Sequence, residues 1–144
     1  MIMKMSNISV EKKRILVIED DADSLFATKK IISGAGYNVE TAHDGVAGME
    51  CFDKFKFDLV ITDMIMPNKE GTEVISEIRK KDPHVKIIAV SGGGYIASEF
   101  YLRVAKKLKA DLALHKPFSP NDLLAAMDSL MSPSIKRAKV TRSK

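Results

Sequence analysis

Five short apolar runs, each followed by a segment with helical character, constrain the fold of this chain more than any other feature. They cover residues 14–18, 37–42, 58–62, 86–90 and 111–115. The third run is continuously apolar, which is typical of a strand covered on both faces. Strands that alternate with helices of this length predict one parallel α/β sheet, doubly wound with helices on both faces and right-handed crossovers.

The first three intervening segments carry helix signals. Acidic residues 20–23 suit a helix N-terminus because they complement its dipole, and Gly34 and Gly36 suit the helix end. We predict a second helix over residues 44–54 and a third over residues 71–81.

The last two segments have different signals. Ser119 and Pro120 are strong helix-start residues, and the core face of the helix that follows lies between residues 123 and 131. The fourth helix is marked by apolar residues that recur every four positions, which are Ile96, Phe100, Val104 and Leu108.

Length and composition favour one domain. The chain has 144 residues, of which 45% are hydrophobic and 29% are charged, as in ordinary globular domains. No apolar stretch is long enough for a membrane span or a signal peptide, so we expect no membrane association. One cysteine, Cys51, fits a reducing compartment, and we expect a cytoplasmic protein.

Positive charge is concentrated at the C-terminal end. Residues 132–144 carry five basic residues and no acid, so the remainder has a formal charge of −1 out of a total of +4. We predict an N-terminal extension over residues 1–12, one domain over residues 13–131 and a basic, disordered tail over residues 132–144. A contact between this tail and nucleic acid or an acidic partner is the alternative.

Polar residues follow four of the predicted strands. Glu19 and Asp20 follow the first, Asp63 the third, Ser91 the fourth and Lys116 the fifth. Because the carboxyl ends of parallel strands meet at one edge of a sheet, where ligands bind in such folds, we expect these side chains to lie together.

The chemistry of this group suggests phosphoryl transfer. Crowded carboxylates raise one another's pKa, and a hard divalent cation such as Mg²⁺ relieves the repulsion. Lys116 would pair with a phosphate oxygen and Ser91 would donate a hydrogen bond to another. Asp63 follows the most apolar strand and is the best candidate nucleophile, because aspartate forms an aspartyl phosphate.

Four segments together resemble the receiver domains of two-component response regulators. They are ILVIEDD (15–21), DLVITDMIMPNKEG (58–71), IIAVSGG (87–93) and HKPF (115–118). The resemblance covers about residues 13–131. It implies a flavodoxin-like (βα)5 fold with strand order 2-1-3-4-5, and transfer of a phosphoryl group from phosphohistidine to one aspartate with Mg²⁺ or Mn²⁺.

By position, the resemblance makes Asp63 the phosphoacceptor and a metal ligand. Asp20 would be a direct ligand, Glu19 would act through water, and the backbone carbonyl of Ile65 would be the third protein ligand. It implies a signalling module that catalyses only its own phosphorylation and slow dephosphorylation.

The same resemblance makes Ser91 the switch hydroxyl and Lys116 the phosphate-pairing lysine. The bond between Lys116 and Pro117 is often cis in this family. We assign Asp21 to the start of the first helix.

Two positions depart from the family pattern. Ala113 stands where a switching Tyr or Phe is usual, which puts a ring-flip switch in doubt; Tyr95 and Tyr101 are nearby aromatic residues without an assigned role. Ile65 stands where a polar residue often helps to set the rate of phosphate loss. Our hypothesis is a changed, longer phosphoryl lifetime.

The resemblance also implies partners. A sensor histidine kinase or a histidine phosphotransfer protein would supply the phosphoryl group. An unidentified downstream protein, or a second copy in a homodimer, would bind the face of the fourth helix, fifth strand and fifth helix. We expect a stand-alone receiver with no sequence-specific nucleic-acid binding, because no helix-turn-helix is apparent.

Two other functions compete. A phosphorylation-independent receiver would be a scaffold or adaptor. An aspartate-nucleophile phosphohydrolase would need a second aspartate two residues after Asp63, where the chain has Ile65. The sequence names neither the kinase nor the output pathway.

Overall fold

The computed structural model describes residues 12–92 and 95–131, without the side chains of residues 95–98. Most of the predicted extension (1–12), the tail (132–144) and two loop glycines (93 and 94) fall outside this part. Its strands are β1 (Arg14–Ile18), β2 (Asn38–Ala42), β3 (Leu59–Asp63), β4 (Lys86–Ser91) and β5 (Leu112–His115). Its helices are α1 (Ala22–Gly34), α2 (Gly45–Lys54), α3 (Gly71–Lys81), α4 (Tyr95–Lys107) and α5 (Pro120–Met131).

All strand pairs are parallel, and the order is β2-β1-β3-β4-β5. This confirms the predicted doubly wound, flavodoxin-like single domain. In the register, Ile18 of β1 lies opposite Thr62 of β3, and Asp63 lies opposite Val90 of β4. The carboxyl ends of the central strands are therefore level, which brings the residues after them to one edge.

Side chains divide between two cores, one on each side of the sheet. The first core packs α2, α3 and α4 on one face, and includes Leu16, Val60 and Ile87. The second packs α1 and α5 on the other face, and includes Ile15, Leu59 and Ile88. Alternate residues of β1 and β3 thus point to opposite cores, which explains why both strands are apolar throughout.

Two strand ends differ from the prediction by one residue. Asp63 is the last residue of β3, because the next amide, that of Met64, still donates to the Val90 carbonyl at 2.9 Å. Ser91 is the last residue of β4, and its carbonyl accepts a hydrogen bond from the Lys116 amide at 2.8 Å. Both side chains are consequently held by the sheet rather than by a loop.

Helix α4 forms as predicted, but the apolar residues at every fourth position do not share one buried face. Phe100 is 55% exposed, whereas Ala105 is fully buried and Tyr101 and Leu108 pack against the core. A repeat of four residues drifts around a helix of 3.6 residues per turn, so such a stripe cannot stay on one face.

The predicted helix ends are confirmed. Asp21 caps α1 by accepting a hydrogen bond from the Ser24 amide at 2.9 Å, and Gly36 follows the helix with φ of 100°. The Ser119 hydroxyl accepts from the Asp122 amide at 3.0 Å, which caps α5. Within the described residues, no helix is both long and apolar enough to cross a membrane.

Candidate functional site

Three of the predicted site residues contact one another at the carboxyl edge of the sheet. Glu19 directly follows β1, Asp63 ends β3 and Lys116 directly follows β5. The Lys116 ammonium nitrogen lies 2.6 Å from Glu19 Oε1 and 3.3 Å from Asp63 Oδ2. The other Glu19 oxygen accepts a hydrogen bond from the Asp21 amide at 3.2 Å. One lysine therefore joins two carboxylates that come from separate strands.

Burial gives these two carboxylates unequal proton affinities. Asp63 is 8% exposed and Glu19 is 6% exposed. Burial, followed by the adjacent Glu19 carboxyl, raises the pKa of Asp63 from 3.8 to about 8. Burial also acts to raise the pKa of Glu19, but hydrogen bonds with Asp63, Lys116 and the Asp21 amide outweigh it and lower that pKa. Of the two carboxyls, Asp63 therefore has the higher proton affinity in the absence of a metal ion.

Asp20 completes a group of three carboxylates. Oxygen atoms of Glu19, Asp20 and Asp63 lie within 4.8 Å of one another, and Asp20 is exposed while the other two are buried. Hard divalent cations such as Mg²⁺ prefer carboxylate oxygens and retain several waters, so two buried donors and one at the surface fit such an ion. A cation here would also relieve the repulsion that raises the pKa of Asp63.

Ser91 and Gly92, at the end of β4, lie next to Lys116. Ser91 is 1% exposed at the end of β4, and its Cα is paired with that of His115. A Cβ added to Gly92 would lie 3.3 Å from Lys116 Cβ, so the aliphatic part of the lysine crosses this glycine closely. The peptide bond between Lys116 and Pro117 is cis.

Ile65 lies in the loop between β3 and α3. Its side chain is 47% exposed, which puts apolar surface in contact with solvent two residues after Asp63. Of the other positions noted in the sequence, Ala113 pairs in register with Ala89, and the Tyr101 ring packs edge-on against Phe100 at 5.4 Å, whereas the Tyr95 side chain lies outside the described part. No contact among the described residues indicates that Tyr101 takes the role of the aromatic residue that the family usually has at position 113.

Sequence reasoning missed the residues that hold this loop. A Cβ at Gly71 would lie 2.2 Å from the Asp63 carbonyl oxygen, so only glycine allows α3 to begin against the end of β3. Asn68 has a positive φ of 70° and donates a side-chain hydrogen bond to Asp44 at 3.2 Å. Asparagine and glycine in the segment PNKEG were the available signal, but their partners are distant in sequence.

Comparison with known proteins identifies the family. A model of the response regulator receiver domain matches residues 15–128. The chain belongs to this family. A receiver is the domain of a signalling module. Receiver domains bind Mg²⁺ at an acidic pocket, and this structure has an acidic cluster of Glu19, Asp20 and Asp63.

Relatives of two sizes are similar to this receiver. Chemotaxis protein CheY of Thermotoga maritima is 35% identical over 121 residues, which are 82% of this chain and 97% of that protein. Transcriptional regulatory protein RprY of Bacteroides fragilis is 32% identical over 121 residues, which are 84% of this chain and 50% of that protein. The receiver thus spans about half the length of RprY, and likewise of response regulator MprA of Mycobacterium ulcerans at 50%.

Solved structures agree with the fold. A CheY-like response regulator receiver domain protein from Methanospirillum hungatei JF-1 is 31% identical, with a TM-score of 0.78 over 88% of this chain and 99% of that one. A receiver domain protein from Clostridium thermocellum is also 31% identical, with a TM-score of 0.77 over 90% and 98% of the two chains.

Proposed function

We propose that this receiver accepts a phosphoryl group on Asp63 from a phosphohistidine of a sensor histidine kinase or histidine phosphotransfer protein. The observation that carries the proposal is the buried Asp63 carboxyl, whose pKa of about 8 reflects burial and Glu19, opposite the Lys116 ammonium. Such a carboxyl is suited to a bound cation, because the positive charge replaces the stabilisation of the ionised form that burial has removed.

In the reaction, a carboxylate oxygen of Asp63 attacks phosphorus and forms an acyl phosphate. The bond from phosphorus to the donor imidazole nitrogen breaks, and that nitrogen keeps the electron pair and is protonated. Lys116, which lies 3.3 Å from Asp63, pairs with a phosphoryl oxygen, and the Ser91 hydroxyl donates to another.

The acidic group fits Mg²⁺, and Mn²⁺ as a substitute. Asp20 and Asp63 would bind it directly, Glu19 through water, and the Ile65 backbone carbonyl would be a further ligand. When bound, the cation neutralises negative charge on the phosphoryl oxygens. Since metal binding favours the ionised form of Asp63, it would also free the nucleophile from its proton at neutral pH.

Phosphorylation would then shift the balance between two states of a protein-binding surface. Ser91 ends β4 and leads to α4, so a hydroxyl drawn toward the phosphate would affect the face made by α4, β5 and α5. A downstream protein or a second copy of the chain would bind this face. Because Ala113 stands on β5 where the family usually has a Tyr or Phe, the shift would proceed without that aromatic ring. We place this module in the cytoplasm.

The test is incubation with Mg²⁺ and acetyl phosphate, followed by intact-mass measurement. We expect one added phosphoryl group, and none in Asp63→Asn. The matched control is Asp58→Asn, an exposed aspartate just before the same strand, which should be phosphorylated as the parent is. Absence of an adduct with every small donor and with a phosphohistidine protein would favour the scaffold function instead.

A further inference from the structure

The loop between β3 and α3 contains an unusual turn. The Lys69 amide donates to the Pro67 carbonyl at 2.8 Å, and Asn68 between them has φ of 70°. This combination describes a γ-turn of the rare form in which the central residue has positive φ. Asparagine tolerates positive φ better than most residues, but the conformation still needs support from its surroundings.

That support comes from the start of α2. The Asn68 side-chain amide donates to Asp44 Oδ2 at 3.2 Å, while Asp44 Oδ1 accepts from the Ala47 amide at 2.7 Å. One carboxylate therefore caps α2 and holds the turn. Hydrogen bonds from Ala47 and Asn68 outweigh desolvation and keep the pKa of Asp44 below its usual value, so it stays ionised at neutral pH.

Packing supports the same side of the loop. A Cβ added to Gly45 would lie 2.4 Å from the Lys69 carbonyl oxygen, so the turn rests directly on the first residue of α2. The Lys69 ammonium pairs with Glu77 of α3. Across the loop, the Gly71 amide donates to the Met64 carbonyl at 2.9 Å. The segment that contains Ile65 is thereby closed at its base and fixed at its tip.

We propose that Asp44 and Asn68 are positioning residues for the metal site, acting through the loop that carries the Ile65 carbonyl. The proposal rests on the proposed function, in which this carbonyl binds Mg²⁺. Only two residues lie between Ile65 and Asn68, so a change of the turn at Asn68 is transmitted directly to the ligand. The pair fixes the ligand before the cation arrives, which lowers the cost of binding.

Four variants separate the contact from the backbone conformation. Asn68→Gly removes the amide but permits positive φ, whereas Asn68→Ala removes the amide and disfavours the turn. Asp44→Asn keeps an oxygen for the Ala47 amide but replaces the charged acceptor of Asn68 by an amide NH₂, which leaves at most a neutral hydrogen bond after rotation of the Asn68 amide. Combining Asp44→Asn with Asn68→Asp exchanges donor and acceptor, and restores the hydrogen bond with unchanged net charge. Asn121→Ala, an exposed site at the start of α5, is the control.

The measurements are the Mg²⁺ dissociation constant by calorimetry without phosphodonor, the thermal midpoint, and the phosphorylation rate with acetyl phosphate. We expect Asn68→Gly and Asp44→Asn to weaken Mg²⁺ binding by about threefold to tenfold, which is less than the full value of one hydrogen bond to a charged group because the pair acts on the ligand through the loop. Asn68→Ala should weaken it further. The exchanged pair should recover to within about twofold of the parent.

A purely structural role predicts a different pattern, with a lower thermal midpoint and an unchanged Mg²⁺ dissociation constant. That pattern, or an exchanged pair no better than its single variants, would overturn the proposal while leaving phosphorylation of Asp63 in place. A parent protein that binds Mg²⁺ and takes no phosphate would overturn only the proposed function. A parent that binds no Mg²⁺ would overturn both.

Discussion

Two lysines of this receiver each lie between two carboxylates at nearly the same distances. The Lys116 ammonium is 2.6 Å from Glu19 and 3.3 Å from Asp63, at the carboxyl edge of the sheet. The Lys81 ammonium joins α3 to α2, and its partners are Asp53 at 2.7 Å and Glu77 at 3.5 Å. The two groups have the same chemical composition, so their different consequences must come from their surroundings.

The surroundings differ in burial. The Asp63 and Glu19 side chains are 10% and 8% exposed, whereas those of Asp53 and Glu77 are 54% and 34% exposed. Burial raises the pKa of Asp63 to about 8. The pKa of Glu77 is lowered, mainly by the hydrogen bond from Lys69. Among these two groups, a carboxyl has a raised pKa where it is buried, and a lowered pKa where it is exposed to water.

The largest expected contrast is in phosphorylation by acetyl phosphate. Lys116→Ala should slow it by about 100-fold or more, because a preorganised cation that neutralises developing charge is lost. Lys81→Ala removes an exposed lysine with the same number of partners, and should leave the rate within about twofold of the parent. Intact mass sampled over time measures both rates. Equal losses of phosphorylation rate in Lys116→Ala and Lys81→Ala would contradict the proposed difference between the two lysine groups.

The second contrast is in how the free energy of unfolding depends on pH. A carboxyl of the Lys116 group and one of the Lys81 group should change it in opposite directions. The folded protein holds a proton on Asp63 between pH 3.8 and about 8, where the unfolded chain has released it. The free energy of unfolding contributed by this group therefore falls as pH rises through that window. Asp63→Asn should stabilise the Mg²⁺-free protein by up to about 5 kcal/mol at pH 8, which is about 1.4 kcal/mol for each pH unit of this window, and little at pH 4.

Glu77 gives the opposite result. Its pKa is lowered in the folded protein, so its contribution is present at neutral pH and is lost as pH falls below its ordinary value of 4.5. Glu77→Gln should therefore destabilise at pH 8, by less than about 1 kcal/mol because the group is partly exposed. Urea unfolding at several pH values measures both variants. A destabilised Asp63→Asn at pH 8 would contradict the assigned burial effect.

The sequence was sufficient to predict that the side chains around Lys116 lie together, because the ends of the strands can be recognised in the sequence. Glu19, Asp63 and Lys116 each follow an apolar run, and parallel strands must bring such residues to one edge. The same reasoning placed Asp63 one residue outside β3, since hydrophobicity marks where a strand is buried and not where its hydrogen bonds end.

Other features could not be predicted because they depend on contacts between distant residues. The hydrogen bond from Asn68 to Asp44 joins residues 24 apart, and no local pattern encodes it. The exposed position of Phe100 depends on how α4 is rotated against the sheet, which packing decides. The difference in burial between the carboxylates around Lys116 and those around Lys81 likewise depends on the assembled sheet.

The smallest expected effect concerns solvent at the border of the buried group. Ile65 cannot orient water with its side chain, so we expect Ile65→Asn to shorten the half-life of the aspartyl phosphate by about threefold to tenfold, the value of one hydrogen bond to the attacking water. Val46→Asn is the matched control, because Val46 on α2 is 48% exposed and Ile65 is 47% exposed. Loss of the phosphoryl mass after donor removal measures the decay. Equal half-lives in Ile65→Asn and the parent would overturn this hypothesis, because the side chain at position 65 would then have no part in setting the lifetime.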